Sequence, residues 1–335
     1  MAILSFDKVG VHEHQRQLDH FESRTGPTTR TFMKWQTKSA VLRALDKLPA
    51  GDALYYFMQR NVTHSLPRPI KRIPEYSRNF YRHIEAFRSW GIDLDKGLLM
   101  TFGAGWDLFE NLIFYGYGVN RQIVIDIKPL ARRELINGIA AYLDKNALGD
   151  AVPRRFLPLE EASGLNASLL RRYGIDYRTP GDARSVDLLD RAVDMIATTH
   201  TLEHIPGDVI ADIMKECRRL ISPGGAVSML IDYSDHYSHA DPSISVYNFL
   251  RFPINEWRPH NVDRHFQNRL RHSDYERLFE AAGFRIVTNE PERPSDWKRL
   301  LERQPIAQEF RGYELEDLAV VRGYFLLVPV GEPAS

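Results

Sequence analysis

Apolar positions along the chain change their period near residue 97. Before it they recur at helical spacing: Val41, Leu42, Leu45 and Leu48 in KSAVLRALDKL, then Phe80, Ile84, Phe87 and Trp90 in NFYRHIEAFRSWGI. Each set forms one stripe on a helix. Pro49 and Gly51 close the first run, because neither continues a helix. No strand pattern is visible over 31–95, which is read as a helical N-terminal cap. Residues 1–30 carry no apolar period and end in RTGPTTR; they are read as a mobile tail.

From 97 onward, short apolar runs alternate with helical segments, the pattern of βαβ units. Strands are expected at 98–102 (LLMTF), 122–127 (QIVIDI), 174–179 (GIDYRT), 192–199 (AVDMIATT) and 226–233 (AVSMLIDY). Between them fall a helix at 129–144, with Leu135, Ile136, Ile139, Ala140 and Leu143 inward, and a second in GDVIADIMKECRRLI, stopped by SPGG. Ser273 and Glu276 are read as a capping box opening HSDYERLFEAAG, with FRIV as strand six. A helical SDWKRLLERQ and a last strand at 318–330 complete the chain. The expected fold is α/β: a doubly wound, Rossmann-like, seven-stranded sheet ending in a hairpin. It occupies 96–335, with 236–272 as an insertion over the carboxyl ends of the strands.

Composition narrows the function without naming it. Lys plus Arg and Asp plus Glu each number 44, so no basic excess argues for nucleic acid. Cys217 is the only cysteine, which leaves no internal disulfide and fits a reducing, cytoplasmic setting. No run of eighteen apolar residues occurs and MAILSF is too short for a signal segment, so no membrane partner is expected. A homodimer is left open.

In open α/β sheets, ligands bind beyond the carboxyl ends of the strands. Three loops there carry readable chemistry. Gly103-Ala104-Gly105 follows the first strand; it is either a loop that lets backbone approach a ligand or a tight strand–helix turn. Asp126 ends the second strand 23 residues after Gly103, placed either to accept from both hydroxyls of a ribose or to start a helix near Pro129. Asp182, in PGDARSVD, is either an acceptor for an adenine amino group or a turn aspartate.

The order LLMTFGAGWD, VIDI, GDA, VDMIATTHTLEHI, RRLISPGGAV resembles the class I S-adenosylmethionine-dependent methyltransferases. The resemblance covers about 97–235, and 270–330 by pattern. It implies that Gly103 and Gly105 line the methionine end of the cofactor, that Asp126 binds the ribose diol, and that Asp182 with Ala183 meets adenine. Thr199 and His200 would lie beside the cofactor where the methyl acceptor approaches. Thr101, Phe102, Ala104 and Ile127 are counted with the cofactor residues. Two positions depart from the family: Thr101 stands where an acidic residue is common, and Asp107 where a third glycine is. Asp107 either caps the next helix or meets the cofactor's ammonium group.

Methyl transfer from a sulfonium needs mainly alignment of the acceptor and a place for its proton. His200, His236 and His239 are the candidate bases, with His204 read as a hydrogen-bonding residue at a helix start. The loop DYSDHYSHAD, Asp232–Asp241, follows strand five and so reaches the same rim. Its residue types suit a divalent ion, but the spacing of Asp235, His236, His239 and Asp241 matches no tight ligand template, and no metal is assigned. Glu203, Tyr233, Asp235, Tyr247 and Arg251 are the candidate acceptor contacts. Tyr247, Phe249, Phe252 and Trp257 either stack on an acceptor or form the core of the insertion; Arg251, Arg264 and Arg269 either bind an acidic acceptor or are surface residues.

The expected activity is O-methylation of a hydroxylated small molecule, with a saccharide unit implied by resemblance of this region to bacterial methyltransferases associated with glycan synthesis. N-methylation of an amino sugar or small amine is the alternative. An NAD-dependent oxidoreductase or a silent scaffold on the same fold are the competing classes. The first lacks its longer glycine fingerprint, since position 108 is Leu.

Overall fold

Helical spacing and strand spacing separate in space as they do in sequence. The computed structural model describes residues 33–146 and 154–331; the tail read at 1–30 lies outside them. Three helices come first: α1 (Trp35–Asp46), α2 (Gly51–Asn61) and α3 (Ile73–Ser89). The sheet elements follow as β1 (Leu98–Phe102), α4 (Phe109–Gly116), β2 (Arg121–Ile125), α5 (Arg133–Lys145), α6 (Leu165–Tyr173), β3 (Ile175–Arg178), β4 (Val193–Thr199), α7 (Gly207–Leu220) and β5 (Ile221–Asp232). Beyond them lie α8 (Ile254–Trp257), α9 (His272–Ala281), β6 (Phe284–Glu292), α10 (Trp297–Glu302), α11 (Leu315–Leu318) and β7 (Arg322–Pro329).

The seven strands lie in the order β3-β2-β1-β4-β5-β7-β6. The first five are parallel, and β7 runs antiparallel between β5 and β6. This is an α/β, doubly wound, Rossmann-like sheet. The chain leaves β1 toward one edge and returns beside it as β4, so the loops after these two strands part and open a crevice.

All five β1 residues are buried, because helices cover both faces of a parallel sheet. On one face Leu99, Val124 and Met195 pack with Phe80, Ile84, Phe87 and the apolar sides of α4 and α5. On the other, Met100, Ile196 and Met229 pack with Ile213, Met214, Tyr275 and Phe279 of α7 and α9. Helix α3 thus completes a sheet face, with Ile84 and Phe87 fully buried. Trp90 falls just past its end and is 36% exposed, not inward as the periodicity suggests.

The aromatics of the insertion form their own core. Tyr237, Tyr247, Phe249 and Trp257 are buried with Trp35 of α1 and with Leu301, Phe310 and Leu318. Trp35 also donates its backbone N–H to the Asp241 carboxylate at 3.0 Å, so the first helix is fastened to the insertion.

Three local expectations shift. Ile221 already pairs with Val193, and the ladder resumes at Met195 with Ala226. The SPGG segment is therefore a bulge within β5 and not only a helix stop. A Cβ at Gly225 would stand 2.7 Å from the Asp194 carbonyl, which explains glycine there. Helix α9 begins two residues early, with Arg271 at its N-cap: Asp274 accepts the Arg271 N–H at 2.7 Å, while Ser273 donates its hydroxyl to Asp317 at 2.5 Å. Helix α5 begins at Arg133, after the Pro129 turn. Among the described residues no helix is long and apolar enough to cross a membrane.

Candidate active site

Parallel pairing of β4 with β5 builds the centre. Thr199 is level with Leu230, and the His200 N–H donates to the Leu230 carbonyl at 2.8 Å. His200 therefore leaves β4 beside the end of β5, with its backbone in the left-handed region at φ 52°. For a residue other than glycine this conformation is uncommon and locally costly. A 3₁₀ turn, Leu202–His204, follows at once. Asn268 holds that turn from outside, donating its backbone N–H to the Glu203 carbonyl and its side-chain amide to Leu202 and Ile205 carbonyls.

The side chains converge. His200 Nδ1 lies 3.7 Å from Glu203 Oε1 and 3.9 Å from Asp232 Oδ2. His236 Nε2 lies 3.6 Å from the same Asp232 oxygen. The other Asp232 oxygen accepts from the backbone and hydroxyl of Ser234, at 2.8 and 2.6 Å. His236 packs on His204, with ring centroids 5.0 Å apart, and stacks on His239 at 5.3 Å. His265 closes the group at 6.1 Å from His236.

Burial sets the protonation of this cluster. It pushes His200 down to about 4, against the pull of Asp232, so its imidazole is neutral with a free lone pair near pH 7. Glu203 is only 1% exposed. Burial, and then the Asp232 charge, raise its carboxyl well above the ordinary range. Burial would also raise Asp232, but His236, His200 and Ser234 hold it below the ordinary carboxylate range.

Across the crevice lies the glycine loop. Gly103 and Gly105 both take positive φ, 84° and 63°. A Cβ on Gly103 would meet Thr201 Oγ1 at 2.4 Å, whereas one on Gly105 would point into open space. The Gly103 N–H donates to the Ile125 carbonyl at 3.1 Å, and those of Ala104 and Gly105 turn toward the Asp126 carboxylate. Gly181 donates to the Asp126 carbonyl at 2.9 Å, which brings the Asp182–Ala183 loop alongside.

Residues 161–229 match the family model described as a methyltransferase domain. The stretch runs through β3, β4, His200, Glu203 and α7 into β5. Over this stretch the chain is similar to a methyltransferase domain. No curated protein matches it in sequence. Solved structures that resemble the chain include an S-adenosylmethionine-dependent methyltransferase of Methanosarcina mazei, at 12% identity, 73% of this chain, 97% of that one and a TM-score of 0.41. Geranyl diphosphate C-methyltransferase of Streptomyces coelicolor A3(2) stands at 11%, 79%, 85% and 0.43. The [4+2]-cyclase SpnF stands at 15%, 75%, 82% and 0.42.

S-adenosylmethionine is the cofactor of such domains, and the residues present fit it. The open side of Gly105 leaves room for backbone approach. The buried Asp126 carboxylate has an acceptor side beyond its 3.0 Å bond from the Lys128 N–H. Ile127, 70% exposed beside it, offers an apolar surface to a base. Asp182 is reachable, though Arg184 grips its carboxylate at 2.6 Å.

The two departures are explained locally. Thr101 is buried and accepts from Asn111 at 3.0 Å; Phe102, too, is buried beneath the loop. Asp107 is gripped by Arg68 at 3.0 and 3.2 Å and accepts the Phe109 N–H at 3.3 Å. Its carboxylate thus meets the first N–H of α4 and anchors the N-terminal segment.

Several candidate acceptor contacts are turned to the interior. Tyr233 is buried, its hydroxyl 3.1 Å from His272 Nδ1, and Tyr247 donates to the Ala319 carbonyl at 2.8 Å. Asp235 is fully buried and accepts from Asn248 at 2.9 Å and the Tyr237 N–H at 2.8 Å. Each has its polar atoms occupied by the fold, which leaves no face for an acceptor. Arg251 is exposed, 3.5 Å from Asn248 Oδ1. Arg264 pairs with Asp46 of α1 at 2.8 Å and Arg269 with Glu309 at 2.6 Å. Of the candidate bases, His200 and His236 face the cluster, and His239 lies at its exposed edge with Nε2 3.4 Å from Ser234.

Asp232, at the end of β5, and Glu110, in α4, also reach the site without being singled out by sequence pattern. Asp232 was findable as the last residue of a parallel strand. Glu110 sits in the first turn of α4, where a helix favours negative charge. Its carboxylate accepts from the Thr199 hydroxyl at 2.9 Å; Thr199 accepts from His83 Nε2 at 2.9 Å. His83 Nδ1 then accepts from Ser228 at 2.6 Å, and Ser228 from Tyr324 at 2.7 Å. This buried chain runs one way, from Tyr324 to Glu110. It needs a neutral His83, which burial secures by lowering it to about 3.

Burial raises Glu110 to about 7 from 4.5, so the folded state holds its proton more tightly than the unfolded chain. Below about pH 4.5 both states are protonated; above it the folded protein progressively loses stability until about pH 7. Glu110→Gln removes that loss. In urea unfolding the variant should equal the parent at pH 4 and exceed it by roughly 3 kcal/mol at pH 8. Parallel profiles would contradict the assignment.

Proposed function

We propose that the methyltransferase works in the cytoplasm and transfers a methyl group from S-adenosylmethionine to a hydroxyl of a small polar acceptor, such as a saccharide unit. The observation that carries this reading is the joining of neutral His200 to Asp232 and His236, at the ends of β4 and β5 and across the crevice from the glycine loop. A hydroxyl acceptor needs a group to take its proton, and a neutral imidazole beside carboxylates supplies one.

S-adenosylmethionine brings a methyl group already activated on sulfur. Asp126 accepts from the ribose hydroxyls, Ile127 covers the base, and the 103–105 backbone approaches the methionine end. Glu110 takes the ammonium group, since Asp107 is engaged by Arg68. His200 faces the acceptor and removes its proton. Asp232 steadies the imidazolium that results, and His236 and His239 line the acceptor's side.

The test is turnover. The full chain incubated with S-adenosylmethionine and a panel of hydroxylated sugars should form S-adenosylhomocysteine with at least one of them. His200→Ala should lower kcat by roughly 10²–10⁴-fold and leave S-adenosylhomocysteine binding within about threefold. Equal turnover by parent and variant would remove His200 as the base. A chain that turned over amines and no hydroxyl compound would favour N-methylation instead.

A further inference from the structure

Within the acceptor cluster, the ligand atoms of Glu203, His204 and His236 all lie within 4.8 Å of one another. These are one carboxylate and two imidazoles drawn from two loops: Glu203 and His204 from the turn after β4, His236 from the loop after β5. The absence of a ligand template within 235–241 does not bear on this set, because only one member belongs to that loop.

Three observations point to an ion rather than to an idle polar group. Both carboxylate oxygens of Glu203 are buried without a hydrogen-bond partner, in a residue 1% exposed. A buried carboxyl group with neither oxygen hydrogen-bonded is costly whether or not it is charged, and natural folds rarely leave one so. His236 Nε2 is likewise buried and unpartnered. His204 Nδ1 lies 2.7 Å from the Phe266 carbonyl. A carbonyl only accepts, so Nδ1 carries the proton and Nε2 keeps its lone pair. Histidines that bind metal characteristically fix their tautomer in this way.

We propose that Glu203, His204 and His236 bind a divalent first-row transition-metal ion that takes the acceptor hydroxyl of the methyl-transfer reaction. The donor set is mixed nitrogen and oxygen, which suits manganese, iron, cobalt or zinc more than magnesium or calcium. Donors arranged tetrahedrally about 2.0–2.2 Å from one ion stand roughly 3.3–3.6 Å apart, so side-chain rotation draws the three together as the ion binds. Three protein ligands leave positions open. His204 is exposed, which gives an entry path. The free Asp232 oxygen, 3.6 Å from His236 Nε2, adds negative charge beside the ion.

This role rests on the methyltransferase reading above. A hydroxyl bound to the ion loses its proton more readily. The proton passes to the unpartnered His200 Nε2 and then to solvent. The acceptor oxygen forms its bond to the methyl carbon as the carbon–sulfur bond breaks, and that electron pair returns to sulfur.

The experiment uses the full chain after chelator treatment, titrated with Co²⁺ alone and followed by visible absorption and calorimetry. One Co²⁺ should bind per chain, with Mn²⁺ and Zn²⁺ competing. Glu203→Gln and His236→Ala should each weaken Co²⁺ binding at least about tenfold, while His64→Ala, at an exposed histidine, should not. S-adenosylhomocysteine binding by the same variants reports that they are folded. Failure of the parent to bind Co²⁺, Mn²⁺ or Zn²⁺ more tightly than His236→Ala would overturn the site. Metal binding without S-adenosylhomocysteine binding would uphold the site and overturn the methyltransferase reading; the reverse pattern would do the opposite.

Discussion

Asp126→Ala should weaken binding of S-adenosylhomocysteine by about 100-fold or more, measured by calorimetry on the full chain. A carboxylate accepting from two ribose hydroxyls makes two charge-assisted hydrogen bonds, each contributing about 1.5–3 kcal/mol, and 100-fold corresponds to about 2.7 kcal/mol. The same carboxylate also receives the Lys128 N–H and faces those of Ala104 and Gly105, so alanine disturbs the glycine loop as well. Asp126→Asn separates the two effects. It keeps an acceptor for the loop and gives up the charge and one acceptor, and should fall between parent and alanine variant. Identical affinities for all three proteins would place the ribose elsewhere.

Trp257→Ala should destabilise the chain by about 3–5 kcal/mol, the usual range for truncating a large buried aromatic. Trp257 is 1% exposed. Its ring contacts Trp35 at 6.1 Å, Tyr237 at 5.9 Å, Phe249 at 6.1 Å and Phe252 at 6.0 Å between centroids. It therefore joins α1, the insertion and the segment that carries His236, and no neighbour can collapse into its volume without moving another. Thermal unfolding should show the loss. Cofactor affinity below the melting transition should change little, because Asp126 and the glycine loop lie outside this cluster. A loss under about 1 kcal/mol would mean that the insertion stands apart from the rest of the fold.

The central strands β1, β2, β4, β5 and β7 were legible because they lie buried under helices and so appear as short continuous apolar runs. Their type and order along the chain followed from that. Element ends were less legible. The SPGG segment looks like a stop, yet Ile221 before it already pairs with Val193. A tertiary contact there overrides local chemistry. Ser273 and Glu276 match a capping pattern, but Asp317 takes the Ser273 hydroxyl and Asp274 supplies the cap.

The site divides in the same way. Post-strand position pointed to Asp126, His200 and the 232–241 loop, because the carboxyl ends of parallel strands share one rim. It did not say which side chains turn outward. Tyr233 and Tyr247 sit in the right segments but face the interior, since a large aromatic with a satisfied hydroxyl is well placed in a core. The meeting of Glu203 with Asp232 and His236 depends on the register of β4 against β5, which no local pattern encodes. The relay from Tyr324 to Glu110 through His83 joins residues of five separate elements and left no mark on the periodicity of α3.

In the proposed reaction one crevice receives the cofactor beside the histidine–carboxylate cluster. A crystal structure of the full chain with S-adenosylhomocysteine tests it most directly. The ribose should lie on Asp126 and the sulfur should face Thr199, His200 and His236. A sulfur atom with His200 and His236 both turned away, or a ligand bound outside the crevice between β1 and β4, would contradict it.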